Sequence, residues 1–171
     1  MKKYILILIV LLLLLIQCTP RQSVQRAGNK YCDKPVVIQS VYGDYDEIWD
    51  DLKMALNERG LVISSVSHVG EMLDRTGKAL GRNRKIYGKA KVMEFCSAVI
   101  SRNMLEKNPH YLSFCPYQIM VYTLPDDGRK VYLSYRHLIW KDKGDDDVLE
   151  AVEDLLKEMV DEVIELHKEY R

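Results

Sequence analysis

Leu124-Pro125-Asp126-Asp127-Gly128 is turn chemistry with strand-forming residues on both sides, and no other stretch limits the fold so tightly. Before it, Tyr111 to Leu124 reads as one long strand; after it, Lys130 to Leu138 reads as a second. Both arms are rich in Tyr, Val, Ile and Leu and the connection is short. The pattern therefore predicts a hairpin, and a hairpin requires an antiparallel sheet that something else in the chain must cover.

The preceding residues supply more of that sheet. Ile86 to Cys96 is extended, with Ile86, Gly88, Ala90 and Val92 on one side and Tyr87, Lys89 and Lys91 on the other. Past Val92 the apolar positions change parity to Met93 and Phe95, which predicts a bulge or a strand end buried on both faces. Ser97 is placed to cap a short helix through Lys107, with Ile100 and Met104 one turn apart and Asn108-Pro109 ending it. Nearer the N-terminus, Lys34 to Tyr42 is β-branched and short, and Leu61 to Val69 reads as a further strand. Between them Asp44 and Glu47 have capping-box spacing, Tyr45, Ile48, Trp49, Leu52, Ala55 and Leu56 recur at helical intervals, and Gly60 stops the run. Gly70 to Arg84, with Gly77, Gly81 and a basic cluster, predicts a mobile connection with at most a turn or two of helix.

The last element begins at Asp145, Asp146 and Asp147, acids suited to a helix N-terminus, and runs to about Lys168. Val148, Val152, Leu155, Met159, Val163 and Leu166 form one stripe, widened by Leu149, Leu156, Val160 and Ile164. So broad an apolar face covers a sheet. The alternative is a seam between two copies, and hence a homodimer. Together these elements predict an α+β domain: a small, largely antiparallel sheet, amphipathic helices on one face, and a long C-terminal helix.

Ahead of all this stands an address. Met1 to Lys3 is positive and Tyr4 to Ile16 is unbroken apolar sequence, below the roughly 18 to 20 residues of a membrane span, so residues 1–18 read as a signal peptide. Leu15-Ile16-Gln17-Cys18 resembles the bacterial lipobox, whose cysteine is diacylated and becomes the new N-terminus; Gln17 departs from the small residue usual there. The apolar run is not directly followed by the small-residue pair that ordinary signal peptidase wants, which favours Cys18 as a lipid attachment site. A short signal anchor is the remaining alternative. Residues 19–34 are polar and include Cys32, a flexible tether leading to one α+β domain over 35–171. The expected location is the bacterial cell envelope, on the membrane through the anchor or otherwise outside the cytoplasm.

Charge narrows the partners. Lysine plus arginine and aspartate plus glutamate balance at 25 each, so the chain has no net attraction to nucleic acid. The basic middle, Arg75 to Lys91, carries only Tyr87 as a stacking ring, and nucleic acid is not an expected partner.

From about Val36 to Leu138 the order of elements, and in particular KIYGKAKVMEFCSAVISRNMLEKNPHYLSFCPYQIMVYTLP, resembles the family catalogued as domain of unknown function 302. Its pattern has a strand ending in a short polar step, a helix, and then a proline-cysteine pair starting the next strand. Here the step is Cys96-Ser97 and the pair is reversed as Cys115-Pro116. The resemblance implies a small α+β fold without an established activity, and transfers no catalytic residue.

Candidate chemistry is sparse. Cys96 and Cys115 sit at a strand end and the next strand start, where they form a disulfide, remain buried thiols, or act as a redox pair. Cys115-Pro116-Tyr117-Gln118 resembles the start of a glutaredoxin active site with its second cysteine replaced, but the following residues alternate like a strand, whereas the thiol in such folds opens a helix. His68, His110, His137 and His167 are scattered without ligand spacing, so no metal site is expected. No serine elbow or phosphate-binding loop is present, and no cofactor is expected. Tyr117, Tyr122, Tyr132 and Tyr135 with Arg136 are candidates for a pocket on the hairpin, or ordinary half-buried strand residues. Two functions follow. One is an envelope module that binds a small ligand or a protein, not an enzyme; the other is an exported thiol–disulfide protein using Cys115 and Cys96.

Overall fold

The computed structural model describes residues 35–138 and 146–168. The leader, Cys18, the tether with Cys32, and Asp145 lie outside the described residues. In chain order the elements are β1 (Val36–Tyr42), α1 (Tyr45–Glu58), β2 (Val62–Ser67), α2 (Val69–Ala79), β3 (Ala90–Cys96), α3 (Ala98–Lys107), a 3-10 turn (Pro109–Phe114), β4 (Tyr117–Thr123), β5 (Lys130–Arg136) and α4 (Asp147–Lys168). The strands make one five-stranded sheet in the order β1-β5-β4-β3-β2, and every pairing is antiparallel. The α+β architecture and its hairpin are as the sequence predicts.

This order puts the first two strands at opposite edges, so α1 must carry the chain across the whole sheet. Its 14 residues span about 21 Å, and four inter-strand steps span about 19 Å. The helix is long enough for that crossing; it packs against β2, β4 and the C-terminal helix, and its six apolar positions Tyr45, Ile48, Trp49, Leu52, Ala55 and Leu56 are all buried. Asp44 starts it, accepting hydrogen bonds from the amides of Asp46 (2.8 Å) and Glu47 (3.1 Å). The Tyr45 hydroxyl donates to the Val121 carbonyl at 3.2 Å and ties the first turn to the central strand.

The 22-residue α4 lies on the same side, burying Leu149, Val152, Leu156, Met159, Val160, Val163 and Ile164. Each such side chain is worth about 1.5–3 kcal/mol before conformational entropy is subtracted. Most of the stripe is thus buried inside the chain, with Leu166 left exposed. Polar contacts fix the helix along its length. Lys107 and the Tyr111 hydroxyl hold Asp146, Glu153 accepts from the Leu138 amide at 2.9 Å, Arg59 pairs with Glu162 at 2.5 Å, and His167 with Asp51 at 2.7 Å. Such surface pairs contribute about 0–1 kcal/mol each, so the apolar stripe holds the helix and the charges set its register.

Four local expectations are corrected. Tyr111 to Leu124 is not one strand: Asn108 accepts from the His110 amide at 3.0 Å, Pro109 begins a 3-10 turn that buries Tyr111, and β4 starts only at Tyr117 after a cis Cys115–Pro116 peptide. Gly70 to Arg84 is not a loose connection, because Val69–Ala79 is an 11-residue helix. Its glycines are points of close packing: a Cβ on Gly70 would stand 2.9 Å from the Ala90 nitrogen, and one on Gly77 would stand 2.8 Å from the Arg82 carbonyl oxygen. The bulge falls in β2 between Ile63 and Ser65, while β3 pairs continuously with β4. The apolar parity change has another cause, because Lys91 shares the covered face with Met93 and Phe95. Its ammonium rests 5.1 Å from the Trp49 ring centre and 5.8 Å from that of Tyr45, so a lysine occupies a core-side position. Lastly, the regular strand begins at Ala90, not Ile86, and Ile86 is exposed.

Several carboxyls are held below their usual range. Asp44 is held there by the backbone amides of Glu47 and Asp46, Asp147 by Lys107, and Asp161 by Lys157 with help from Gln39. A carboxylate whose folded pKa is lowered stabilises the fold above its unfolded value and loses that contribution as pH falls through the folded one. The thermal midpoint is therefore expected to be level above about pH 5 and to decline below about pH 4. A scanning calorimetry series in dilute buffer checks this; a midpoint unchanged down to about pH 2 contradicts it.

Candidate functional site

Helices α1 and α4 cover one face of the sheet, and alternation sends the even-numbered residues of β1, β4 and β5 to the other. Register then aligns them in rows. Ile38 lies beside Ser134, Ser134 beside Met120, and Met120 beside Val92. One row over, Ser40 pairs with Tyr132, Tyr132 with Tyr122, and Tyr122 with Ala90. On the far side Val36 pairs with Arg136 and Glu94 with Gln118, whose amide donates to the Glu94 carboxylate at 2.8 Å.

An open face of an antiparallel sheet is ordinarily polar. This one has an apolar floor. Ile38 is 54% exposed and Val36 38%, and beside them runs a ladder of rings. Tyr122 stacks on Tyr132 with centroids 5.1 Å apart and planes 9° from parallel, and Tyr87 meets Tyr122 edge-on at 5.5 Å. The Tyr132 hydroxyl donates to Asp127, and the Lys130 ammonium stands 5.1 Å from the Tyr132 ring centre. Burial, with the neighbouring Tyr87 and Tyr132, pushes the Tyr122 hydroxyl up, so it is a neutral donor at neutral pH. Val36, Ile38, Val69, Tyr87, Val92 and Met120 contribute to a hollow of about 210 Å³ there.

The five hairpin candidates do not form one pocket. Tyr122, Tyr132 and Arg136 are on the open face, whereas Tyr117 and Tyr135, each 2% exposed, point into the core. Burial, reinforced by Glu153, Asp161 and Asp154, pushes Tyr135 up to about 12. Tyr117 accepts a hydrogen bond from Ser101 at 3.0 Å and packs edge-on against Phe95 at 5.9 Å. Opposite parity within a strand forces this division.

A second cluster stands at the other end of β3. The sulfurs of Cys96 and Cys115 are 3.7 Å apart as free thiols, and Cys115 donates to Ser101 Oγ at 3.6 Å. Burial, then the contact with Cys115, pushes the Cys96 thiol up to about 11. Cys115 is followed by a strand, so no helix terminus activates it. Of the histidines, His137 meets Glu153 and His167 meets Asp51. Among the described residues no three His, Cys, Asp or Glu side chains are grouped to hold a metal ion, and no helix is long and apolar enough to cross a membrane.

A model of the family described as "Domain of unknown function DUF302" matches residues 36–165. The chain belongs to the DUF302 family. No curated protein matches it. The crystal structure of an uncharacterized conserved DUF302 protein from Bacillus stearothermophilus is similar, with a TM-score of 0.59 and 15% identity over 78% of this chain and 98% of that one. At that identity the likeness shows the fold alone. The family match extends past Leu138 into α4, so the long C-terminal helix is part of the DUF302 fold and not an appendage. Sequence reading missed Ile38, Val92, Met120 and Tyr87 as members of this DUF302 domain's open face. The signal existed as alternation within each strand, but only the register brings the four together.

Proposed function

We propose that this DUF302 chain is a binding module of the bacterial cell envelope, held at the membrane by a lipid on Cys18, and that its open sheet face takes a small, flat, mostly apolar molecule. One observation carries the reading: three strands present Ile38, Met120 and Val92 in one row beside a tyrosine ladder, on the face opposite α1 and α4, with Val69 at the start of α2 bordering the hollow. Contiguous exposed apolar surface marks a binding site more often than an accident of packing. The hollow is of ring size, since an apolar cavity of about 150 Å³ accommodates benzene. Ser134, 8% exposed within that row, offers the ligand one polar contact.

Thermal-shift titration of the full chain with neutral two-ring aromatic compounds is expected to give a saturable rise in midpoint. Matched compounds bearing two sulfonates are expected to give none. Absence of saturation with every neutral compound sinks the reading of the face. Intact mass of the mature chain tests the anchor separately, because two acyl chains on Cys18 are directly weighed.

A further inference from the structure

The two thiols at the far end of β3 play no part in the apolar hollow, and their surroundings have a chemistry of their own. A cleft of about 130 Å³ opens beside Cys115, bordered by Phe114, Pro116, Gln118, Arg136 and Leu138. Cys115 borders that cleft and Cys96 stands directly behind it, sulfur to sulfur at 3.7 Å. Arg136, at the end of β5, is exposed and makes no ion pair among the described residues. An open cation lining the same cleft as a thiol favours an anionic partner.

We propose that Cys115 and Cys96 are a thiol–disulfide exchange site whose substrate is a small disulfide bearing carboxylates, seated between Cys115 and Arg136. In the first step the Cys115 thiolate attacks one sulfur of the substrate. A Cys115–substrate bond forms, the substrate S–S bond breaks, and one thiolate leaves with the proton Cys115 gave up. In the second step Cys96 attacks the Cys115 sulfur and its proton passes to the second departing thiolate. The protein loses two electrons and two protons, and the disulfide becomes two thiols. Bringing the sulfurs from 3.7 Å to a bond of about 2.05 Å requires side-chain rotation at two half-buried residues. Ser101 Oγ now accepts from the Cys115 thiol and donates to the Tyr117 hydroxyl; once the proton is gone, reversal of the Tyr117 bond lets Ser101 donate to the thiolate. The order of events follows from position: Cys115 meets the cleft, and Cys96, with its thiol pushed up to about 11, is the group that resolves.

The test exposes the full chain to oxidised glutathione near pH 8, followed by alkylation and peptide mapping, so that Cys18 and Cys32 are tracked apart. The expected product joins the Cys96 and Cys115 peptides and releases two reduced glutathiones per chain. In Cys96→Ser one glutathione is expected to remain on Cys115. Arg136→Gln is expected to slow the reaction with oxidised glutathione about fivefold while leaving the rate with cystamine, a disulfide of amines, unreduced. The site is refuted if the two peptides never join in the unmodified chain, a result that depends on no variant. Equal capture at Cys96 in Cys115→Ser overturns the order of attack, and an Arg136→Gln rate unchanged with both reagents overturns the carboxylate preference. None of these outcomes bears on the hollow, which borders Ala90 and Val92 at the opposite end of the strand.

Discussion

Replacing Phe95 with alanine is expected to lower the folding free energy by about 3–5 kcal/mol, read as a shift in the midpoint of urea unfolding. The ring is fully buried, and its edge-on partner Tyr117 at 5.9 Å loses an aromatic contact worth about 0.5–1.5 kcal/mol beyond area. β3 is flanked by β2 and β4, so the strand cannot shift to fill the resulting cavity without breaking the ladders on both sides. Domains of this size have about 5–15 kcal/mol in total, which leaves the variant close to unfolding at physiological temperature. Val62→Ala, on the neighbouring edge strand at 69% exposure, is expected to stay within about 0.5 kcal/mol. A Phe95→Ala loss no larger than that of Val62→Ala contradicts the placement of the core between the sheet and the helices.

The second large effect is on binding. Met120→Glu is expected to weaken binding of a neutral two-ring compound at least about tenfold, because a carboxylate in the apolar floor must lose water when the ligand seats. The fold is expected to persist, since Met120 faces away from α1 and α4 and is only half-buried. Tyr122→Phe serves as the counterpart: the ring that stacks on Tyr132 is retained, so affinity is expected to stay within about threefold. Isothermal titration of the three proteins decides. Equal affinity in Met120→Glu and the parent places the ligand elsewhere.

Local chemistry makes several elements legible from residue order alone. Asp44, Ser97 and Asn108-Pro109 carry the start and stop signals of α1 and α3, and each acts where its type predicts. The four-residue recurrence in α4 identifies a sheet-covering helix, although its buried line centres on Leu149, Leu156 and Val160, with Leu166 left 42% exposed. What stays hidden depends on contacts between distant residues. Gly77 looks like a helix breaker until the Arg82 backbone arrives against it. Lys91 reads as solvent-facing until the Trp49 ring lies beneath its ammonium. Neighbourhood along the chain groups the hairpin tyrosines together, yet alternation, itself a local pattern, sends Tyr117 and Tyr135 to one side and Tyr122 and Tyr132 to the other. The face itself needs β1 to return beside β5, a pairing across about a hundred residues that no local pattern encodes.

The most direct measurement is residue-level mapping by NMR of the isotope-labelled chain during titration with a neutral two-ring compound. Binding at the open face predicts shifts concentrated at Ile38, Met120, Val92, Tyr87 and Tyr122, with Leu52, Val160 and the rest of the covered side unmoved. Saturable binding whose shifts fall instead on α1 and α4, leaving Ile38 and Met120 still, contradicts it.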